Sequence, residues 1–279
     1  MYKLDEKTLK YKIQNIGTLP TLPGILKKIL KALENPNVSL TEIGAFISND
    51  PVITTKVLKM VNSAAYGFPG RISSVNQAVI LLGLNVVKGL LLGVSIFELM
   101  QETMVGLWEH SMGCAIAARL IAKKKGLKEP EEISVAALLH DIGKVILILQ
   151  YPEHYEHAMK QAQERAIAIS LAEEDVFAIT HADAGKWIAE KWRFPETLTE
   201  VIWHHHKPRL SGTFSVETSI VCLADILVRA RGFGFAGDSL VPAINPVMWE
   251  NLKMTENDLQ DILKEMEDLI EGAGTLILE

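Results

Sequence analysis

Short polar signals of the kind that start helices recur along this chain, and they constrain its fold more than any other feature. Ser39-Leu-Thr-Glu42, Ser74-Val-Asn-Gln77 and Ser170-Leu-Ala-Glu173 each place a serine three residues before Glu or Gln. At that spacing side chain and backbone satisfy each other's orphan groups at a helix start. Asp50-Pro51 adds a fourth start, with a carboxylate at the cap and proline at the first helical position. Between these signals apolar residues recur at helical spacing, as in Val52, Thr55, Leu58, Lys59 and Asn62, and in Val135, Leu138, Leu139 and Ile142. Alternating strand-like runs with turn dipeptides are scarce. The expected fold class is all-α.

With 279 residues and 48% hydrophobic content the chain can bury a sizeable core, arranged as one or two domains. A formal charge of −6 argues against gripping nucleic-acid phosphates by bulk charge, so direct DNA binding is not expected. The one lysine cluster, Lys123-Lys124-Lys125, reads as a helix C-terminus closed by Gly126. Cys114 and Cys222 are far apart, with no CxxC pair, which fits a reducing, cytoplasmic setting. Residues 1–11 lack an apolar core segment, so no signal peptide is expected. Val79 to Met100 is greasy enough to suggest a membrane span, yet Gly83, Asn85, Lys88, Gly89, Gly93 and Glu98 interrupt it. It reads as a buried pair of core helices, with no membrane association.

A composition shift near Met100 to Leu107 separates two halves. Residues 1–103 form an N-terminal helical half, 104–235 a second half holding all eight histidines, and 236–279 a C-terminal loop and helix. Gly232 to Pro246 is rich in Gly and Pro and is expected to be a loop. Thr255 to Gly272 is expected to be an acidic amphipathic helix, capped by Thr255, on the surface of the second half.

The sharpest chemical signal is Leu138-Leu139-His140-Asp141-Ile142-Gly143-Lys144, an adjacent His-Asp pair after an apolar run. Imidazole with carboxylate suits borderline or hard divalent ions. Adjacent residues on a helix point about 100° apart, so the pair needs ligands from other helices. The candidates are His110, His181, the run His204-His205-His206, and Asp225 within the apolar segment Ile220 to Ala230. A carboxylate buried there costs several kcal/mol unless a cation or strong donors stand beside it.

His110, His140-Asp141 and Asp225 resemble the H…HD…D pattern of the HD superfamily of metal-dependent phosphohydrolases. His181 and the tandem His205-His206 resemble the extra histidines of its HD-GYP branch, which hydrolyses cyclic di-GMP. The first half is similar to the HDOD family, through Leu19-Pro20-Thr-Leu22-Pro23, Asp50-Pro51, Asn62-Ser63-Ala64 with Tyr66-Gly67, and Ala78 with Leu82-Gly83. The resemblance covers roughly residues 15–210. It implies a multi-helical HD-superfamily domain with an HDOD-type N-terminal helical half. No GYP triplet follows the histidine run, where Lys207-Pro208-Arg209 stands, and Gly106 occupies a place where HD-GYP proteins carry an acidic ligand.

The resemblance implies one or two divalent ions (Fe, Mn, Ni, Co or Zn). His110, His140, Asp141 and Asp225 would hold the first, and His181, His205 and His206 the second, with His204 in the outer shell and His154 and His157 outside the set. It leaves two roles open: a regulatory signalling module whose first half binds a protein partner, or a metal-dependent phosphohydrolase acting on a nucleotide or cyclic dinucleotide. A third, a metal-free scaffold, also fits the fold. In a catalytic site the ions would activate water and polarise a phosphoryl oxygen at Asp141, with Lys144 stabilising charge on the phosphate; Lys144 reads equally well as a partner for a nearby carboxylate. The signal is expected to arrive through a separate partner or small ligand, since the two halves use up the chain and leave no receiver, GGDEF-type or kinase segment. Trp108, Trp187, Trp192 and Trp203 flank the histidines and are expected to pack rather than stack on a base. Asn62-Ser63-Ala64 and Arg71 form a turn expected to be held by local hydrogen bonds.

Overall fold

The computed structural model of the chain describes residues 5–15, 27, 28, 31, 32, 34, 35, 37–63, 66 and 72–273. Leu19 to Pro23, Ala64, Gly67 and Arg71 lie outside the described residues. The described residues form helices and loops with no strand, so the all-α expectation holds. In order these are α1 (Glu6–Gln14), α2 (Leu40–Ser48), α3 (Pro51–Val61), α4 (Val75–Thr103), α5 (Leu107–Lys124), α6 (Pro130–Leu139) and α7 (Ile142–Gln150). They continue as α8 (Pro152–Arg165), α9 (Ile169–Phe177), α10 (His181–Lys191), α11 (Glu196–His204), α12 (Ser215–Ala230), α13 (Pro246–Leu252) and α14 (Glu256–Ala273).

Most of the helix starts are those expected. Ser39 and Glu42 form a complete capping box before α2, and Asp50 accepts from the backbone N–H of Val52 and Ile53 with Pro51 opening α3. At α4 the Ser74 side chain accepts from Gln77 N–H, but the Gln77 side chain answers to Ser73 N–H, one residue earlier. Ser170 and Glu173 make no such box. α9 starts two residues sooner, at Ile169 with Ala168 as its cap; the Ile169 N–H donates to Asp238 at 2.8 Å, and Glu173 turns inward. A box that sequence reading overlooked, Thr180 with Asp183, opens α10 and sets His181 at its first position.

The apolar stripe on α3 lies on a different face from the expected one. Ile53, Val57, Met60 and Val61 are buried, whereas Val52, Thr55 and Lys59 face outward. At the end of this helix Asn62 holds the turn as expected, accepting from Ile72 N–H at 2.7 Å and donating to Ile72 O at 2.8 Å. α4 is long and apolar enough to cross a membrane by length and composition. In the fold it breaks at Gly83 (φ 79°, ψ 166°), a left-handed φ that favours glycine. Beyond the break Val86, Val87, Leu90, Leu91, Leu92 and Val94 are buried, and the helix packs on α3, α6 and α2. At about 1.5–3 kcal/mol per buried aliphatic side chain, those six contribute on the order of 10 kcal/mol, comparable with the net stability of a domain. α4 is thus a kinked core element.

The second half is built around α5, which packs against α6, α12 and α14. α10 packs on α7 and α11, and α1 reaches across from the N-terminal half to α10 and α7. Lys125 and Gly126 (φ +70°) close α5, with Leu127 N–H returning to Ala122 O at 3.0 Å. α14 starts at Thr255 and Asp258 as expected, and lies on α5 through Ile262, Met266 and the pairing of Lys124 with Asp258 and Asp261.

Candidate metal centre

α5, α7, α10, α11 and α12 converge where they carry His110, Asp141, His181, His205-His206 and Asp225. His110 lies one turn into α5, and Asp225 faces it from α12. His140 caps α6 and Asp141 precedes α7, so the chain breaks between the two helices at the His-Asp pair. The break lets two side chains that a continuous helix would splay apart meet, with His140 Nε2 at 3.3 Å from Asp141 Oδ2. A Cβ at Gly143 would sit 1.9 Å from the backbone oxygen of His181, so only glycine lets α7 approach α10 this closely.

Asp141 stands at the centre. Its Oδ2 faces His140 Nε2 and His110 Nε2 (3.6 Å), and accepts from Lys144 Nζ at 2.6 Å. Its Oδ1 faces His181 Nε2 at 3.3 Å and His205 Nε2 at 3.8 Å. His110 Nε2 is 3.2 Å from Asp225 Oδ1, while His181 Nε2 is 3.3 Å from His205 Nε2 and 2.9 Å from His206 Nε2. All seven residues expected as ligands are therefore brought together, in two groups that meet at Asp141. They are buried except His206, which is half-buried.

The far nitrogens of three rings are already committed. His140 Nδ1 lies 2.6 Å from Ala137 O and His205 Nδ1 2.7 Å from Ile202 O. A carbonyl oxygen can only accept, so each Nδ1 carries the proton and each Nε2 turns a lone pair to the centre. His181 Nδ1 donates likewise to Glu173 Oε2 at 2.6 Å. Lone pairs then face lone pairs, and Asp141 Oδ1, fully buried, has no hydrogen-bond partner. A cation among them resolves both facts. The donor separations run from 2.9 to 3.8 Å, and those of 2.9–3.3 Å match the ligand edges of about 2.9 Å (octahedral) and 3.3 Å (tetrahedral) around an ion with bonds near 2.05 Å. The residues fit a divalent metal.

Electrostatics agree with this geometry for the two carboxylates and for His110, His205 and His206. Burial alone would raise the carboxyls of Asp141 and Asp225, but His140 and Lys144 around the first, and His110 beside the second, hold both below the ordinary range. Burial pushes His110, His205 and His206 down, keeping them neutral and able to ligate. Burial also acts downward on His140, yet the adjacent Asp141 outweighs it and raises that imidazole.

The sequence pattern of the HDOD domain matches residues 19–208. The chain belongs to the HDOD family. An uncharacterised protein of Treponema pallidum (strain Nichols) is 31% identical over 219 residues, covering 77% of this chain and 43% of that protein. This HDOD chain thus spans less than half the length of that relative. An HDOD domain protein of unknown function from Geobacter sulfurreducens has a similar structure, with TM-score 0.70, 27% identity and 99% of each chain covered. A Marinobacter aquaeolei VT8 structure named for signal transduction (TM-score 0.71, 20% identity, 97% of this chain and 63% of that one) shares the fold. So does a Shewanella amazonensis SB2B structure named for metal-dependent phosphohydrolase activity (TM-score 0.57, 18% identity, 95% and 96%).

The HDOD match ends before Asp225 and before the loop after it, yet both build the centre. Residues 232–240, read from sequence only as a loop, fold over it. Gly106 O accepts from Phe235 N–H at 2.9 Å, Ala236 O accepts from Lys144 Nζ at 2.8 Å, and Asp238 pairs with Arg229. A Cβ at Gly106 would meet Phe235 N at 2.9 Å, so an acidic side chain there has no room in this chain. Two further residues went unread. Glu173, fully buried, accepts from His181 N–H (2.8 Å), His181 Nδ1 and the Tyr155 hydroxyl (2.8 Å), and so orients His181. Its sequence signal was visible but resembles a helix cap. Cys114 places Sγ 3.5 Å from His110 Nε2.

The remaining candidates stand apart. His204 stacks on Trp203 and faces Glu200; His154 packs on Tyr151 and Phe177; His157 contacts Gln161. Trp108 packs edge-on against Phe97, Trp192 against Phe194, and Lys10 and Lys186 lie over Trp187 and Trp203.

Proposed function

We propose that this HDOD chain is a regulatory signal-transduction module that holds one or two divalent ions at its HD-type site and binds a protein partner through its N-terminal half. The carrying observation is the set of buried Nε2 lone pairs around Asp141, whose Oδ1 no protein group satisfies. Fe, Mn, Ni, Co and Zn all suit such a set. His110, His140, Asp141 and Asp225 hold one ion, and His181, His205 and His206 the other, with Asp141 between the two groups.

The environment favours regulation over turnover. Lys144, which would otherwise meet a phosphate, is 1% exposed and committed to Asp141 and Ala236 O. The 232–240 loop covers the first group of donors, leaving the half-buried His206 as the most open ligand. In the N-terminal half the adjacent Ile80 and Leu81 of α4 expose most of their surface, which suits contact with another protein. We place the module in the cytoplasm, in keeping with its two unpaired thiols.

A metal-dependent phosphohydrolase acting on a nucleotide or cyclic dinucleotide is the second reading. It is favoured by the way Asp141 offers one oxygen to each donor group, as in sites where two ions clamp a phosphoryl group. The ions would supply an activated water there, and Lys144 would have to leave Asp141 to reach the phosphate. Elemental analysis of the purified chain, with assays on bis(p-nitrophenyl) phosphate and cyclic dinucleotides after Mn or Fe addition, separates the two. Metal without turnover supports the regulatory module, metal with turnover the hydrolase, and no metal refutes both.

A further inference from the structure

Cys114 is fully buried one helical turn after His110, so the two side chains share the face of α5 that looks onto Asp225. The donor atoms of His110, Cys114, His140 and Asp225 all lie within 4.8 Å of one another. A buried cysteine that only fills space sits among apolar groups and needs no polar neighbours. Cys114 instead has an imidazole nitrogen at 3.5 Å. Around an ion with bonds of about 2.3 Å to sulfur and about 2.05 Å to nitrogen, S–N edges run from about 3.1 Å at a right angle to about 3.5–3.6 Å at the tetrahedral angle. The His110–Asp225 separation of 3.2 Å likewise approaches the N–O edge of about 3.3 Å. Gly113 makes this possible, since a Cβ there would meet Phe233 at 2.7 Å and Val228 at 3.0 Å and push α5 away from α12.

We propose that Cys114 is a thiolate ligand of the first ion, joining His110, His140, Asp141 and Asp225. As the ion binds, the S–H bond breaks, its proton passes to solvent, and the sulfur forms the metal bond. One soft thiolate among nitrogen and oxygen donors shifts the preference of that position toward Zn, Co or Fe and away from Mn or Mg.

Cys114 ligation presupposes the metal binding proposed above, and X-ray absorption on the zinc-loaded full chain separates the two. The expected spectrum has a sulfur neighbour at about 2.3 Å beside nitrogen and oxygen at about 2.0–2.1 Å. The sulfur shell should vanish in Cys114→Ser and persist in Cys222→Ser. Bound zinc with only nitrogen and oxygen neighbours, or a sulfur shell that survives Cys114→Ser, overturns the ligand and leaves the metal site standing. A chain that takes up no zinc overturns both. Should Cys114→Ser fail to fold, cobalt substitution of the unaltered chain decides: sulfur-to-cobalt charge-transfer absorption in the near ultraviolet is expected, and its absence overturns the ligand.

Discussion

Replacing Glu173 by glutamine removes one charge from beneath His181 while keeping the shape of the side chain. Both hydrogen bonds from His181, at 2.8 Å from its backbone N–H and 2.6 Å from Nδ1, end on the same oxygen, Oε2. The glutamine carbonyl can take that place and turn its amide toward the Tyr155 hydroxyl, which accepts as readily as it donates. Three hydrogen bonds survive, and the loss is the charge on the acceptor. Bonds to charged groups contribute about 1.5–3 kcal/mol against about 0.5–1.5 for neutral pairs. Two weakened bonds to His181 therefore cost about 2 kcal/mol, or roughly thirtyfold in an equilibrium constant, within the 10–100-fold typical of groups that orient metal ligands. Competition against a chromophoric chelator, using zinc or cobalt, should show that loss at an unchanged far-ultraviolet spectrum. An affinity within about threefold of the parent would refute the idea that Glu173 tunes the metal ligand.

The metal-free protein should weaken in acid. Burial foremost holds His110, His205 and His206 below their ordinary value of 6.5, so the unfolded chain binds protons there that the folded chain refuses. Their contribution is complete above about pH 6.5 and is lost as pH falls below it, by up to ~1.4 kcal/mol per pH unit for each histidine. His140, shifted upward, is protonated in both states below that pH and adds no acid slope. Denaturant unfolding at pH 7.5 and 5.5 measures this, and equal stabilities would contradict it. Gly143→Ala should lose at least about 1–3 kcal/mol and most bound metal, because the new Cβ drives α7 from the His181 backbone; thermal unfolding with metal analysis tests both. Lys144→Met strips Asp141 of its paired cation and should destabilise the metal-free protein by about 3–5 kcal/mol. Added zinc should recover much of that stability, and a variant equally weakened with and without metal would count against an ion at Asp141.

Much of the fold was legible because helix starts are local chemistry. Ser39, Asp50 and Thr255 act on backbone groups two or three residues away, so spacing alone reveals them. The seven candidate ligands, five histidines and two aspartates, were picked out by their resemblance to the HD pattern, and only Asp225 was marked by physics alone, as a carboxylate in an apolar segment; the fold brings all seven together. What escaped depends on tertiary contact. Glu173 has the spacing of a cap, and only the neighbouring α10 shows that its carboxylate serves His181. The α3 stripe was placed on the wrong face because Thr55, Lys59 and Asn62 follow the same helical period as the buried set, and the packing of α4 selects the face. Cys114 gave no sequence signal, since one cysteine in a small-residue helix reads the same with or without a metal beside it. The covering loop was read as a connection because its contacts to Lys144 and Gly106 run through backbone oxygen and nitrogen, which carry no sequence mark.

Whether Asp141 organises a metal centre is decided by the metal content of the purified chain beside that of its Asp141→Ala variant. One or two divalent ions per chain are expected in the parent and none in the variant, with helical content unchanged by circular dichroism. A parent that stays metal-free after expression in supplemented medium, or a folded variant that keeps its metal, would contradict a metal centre built on Asp141.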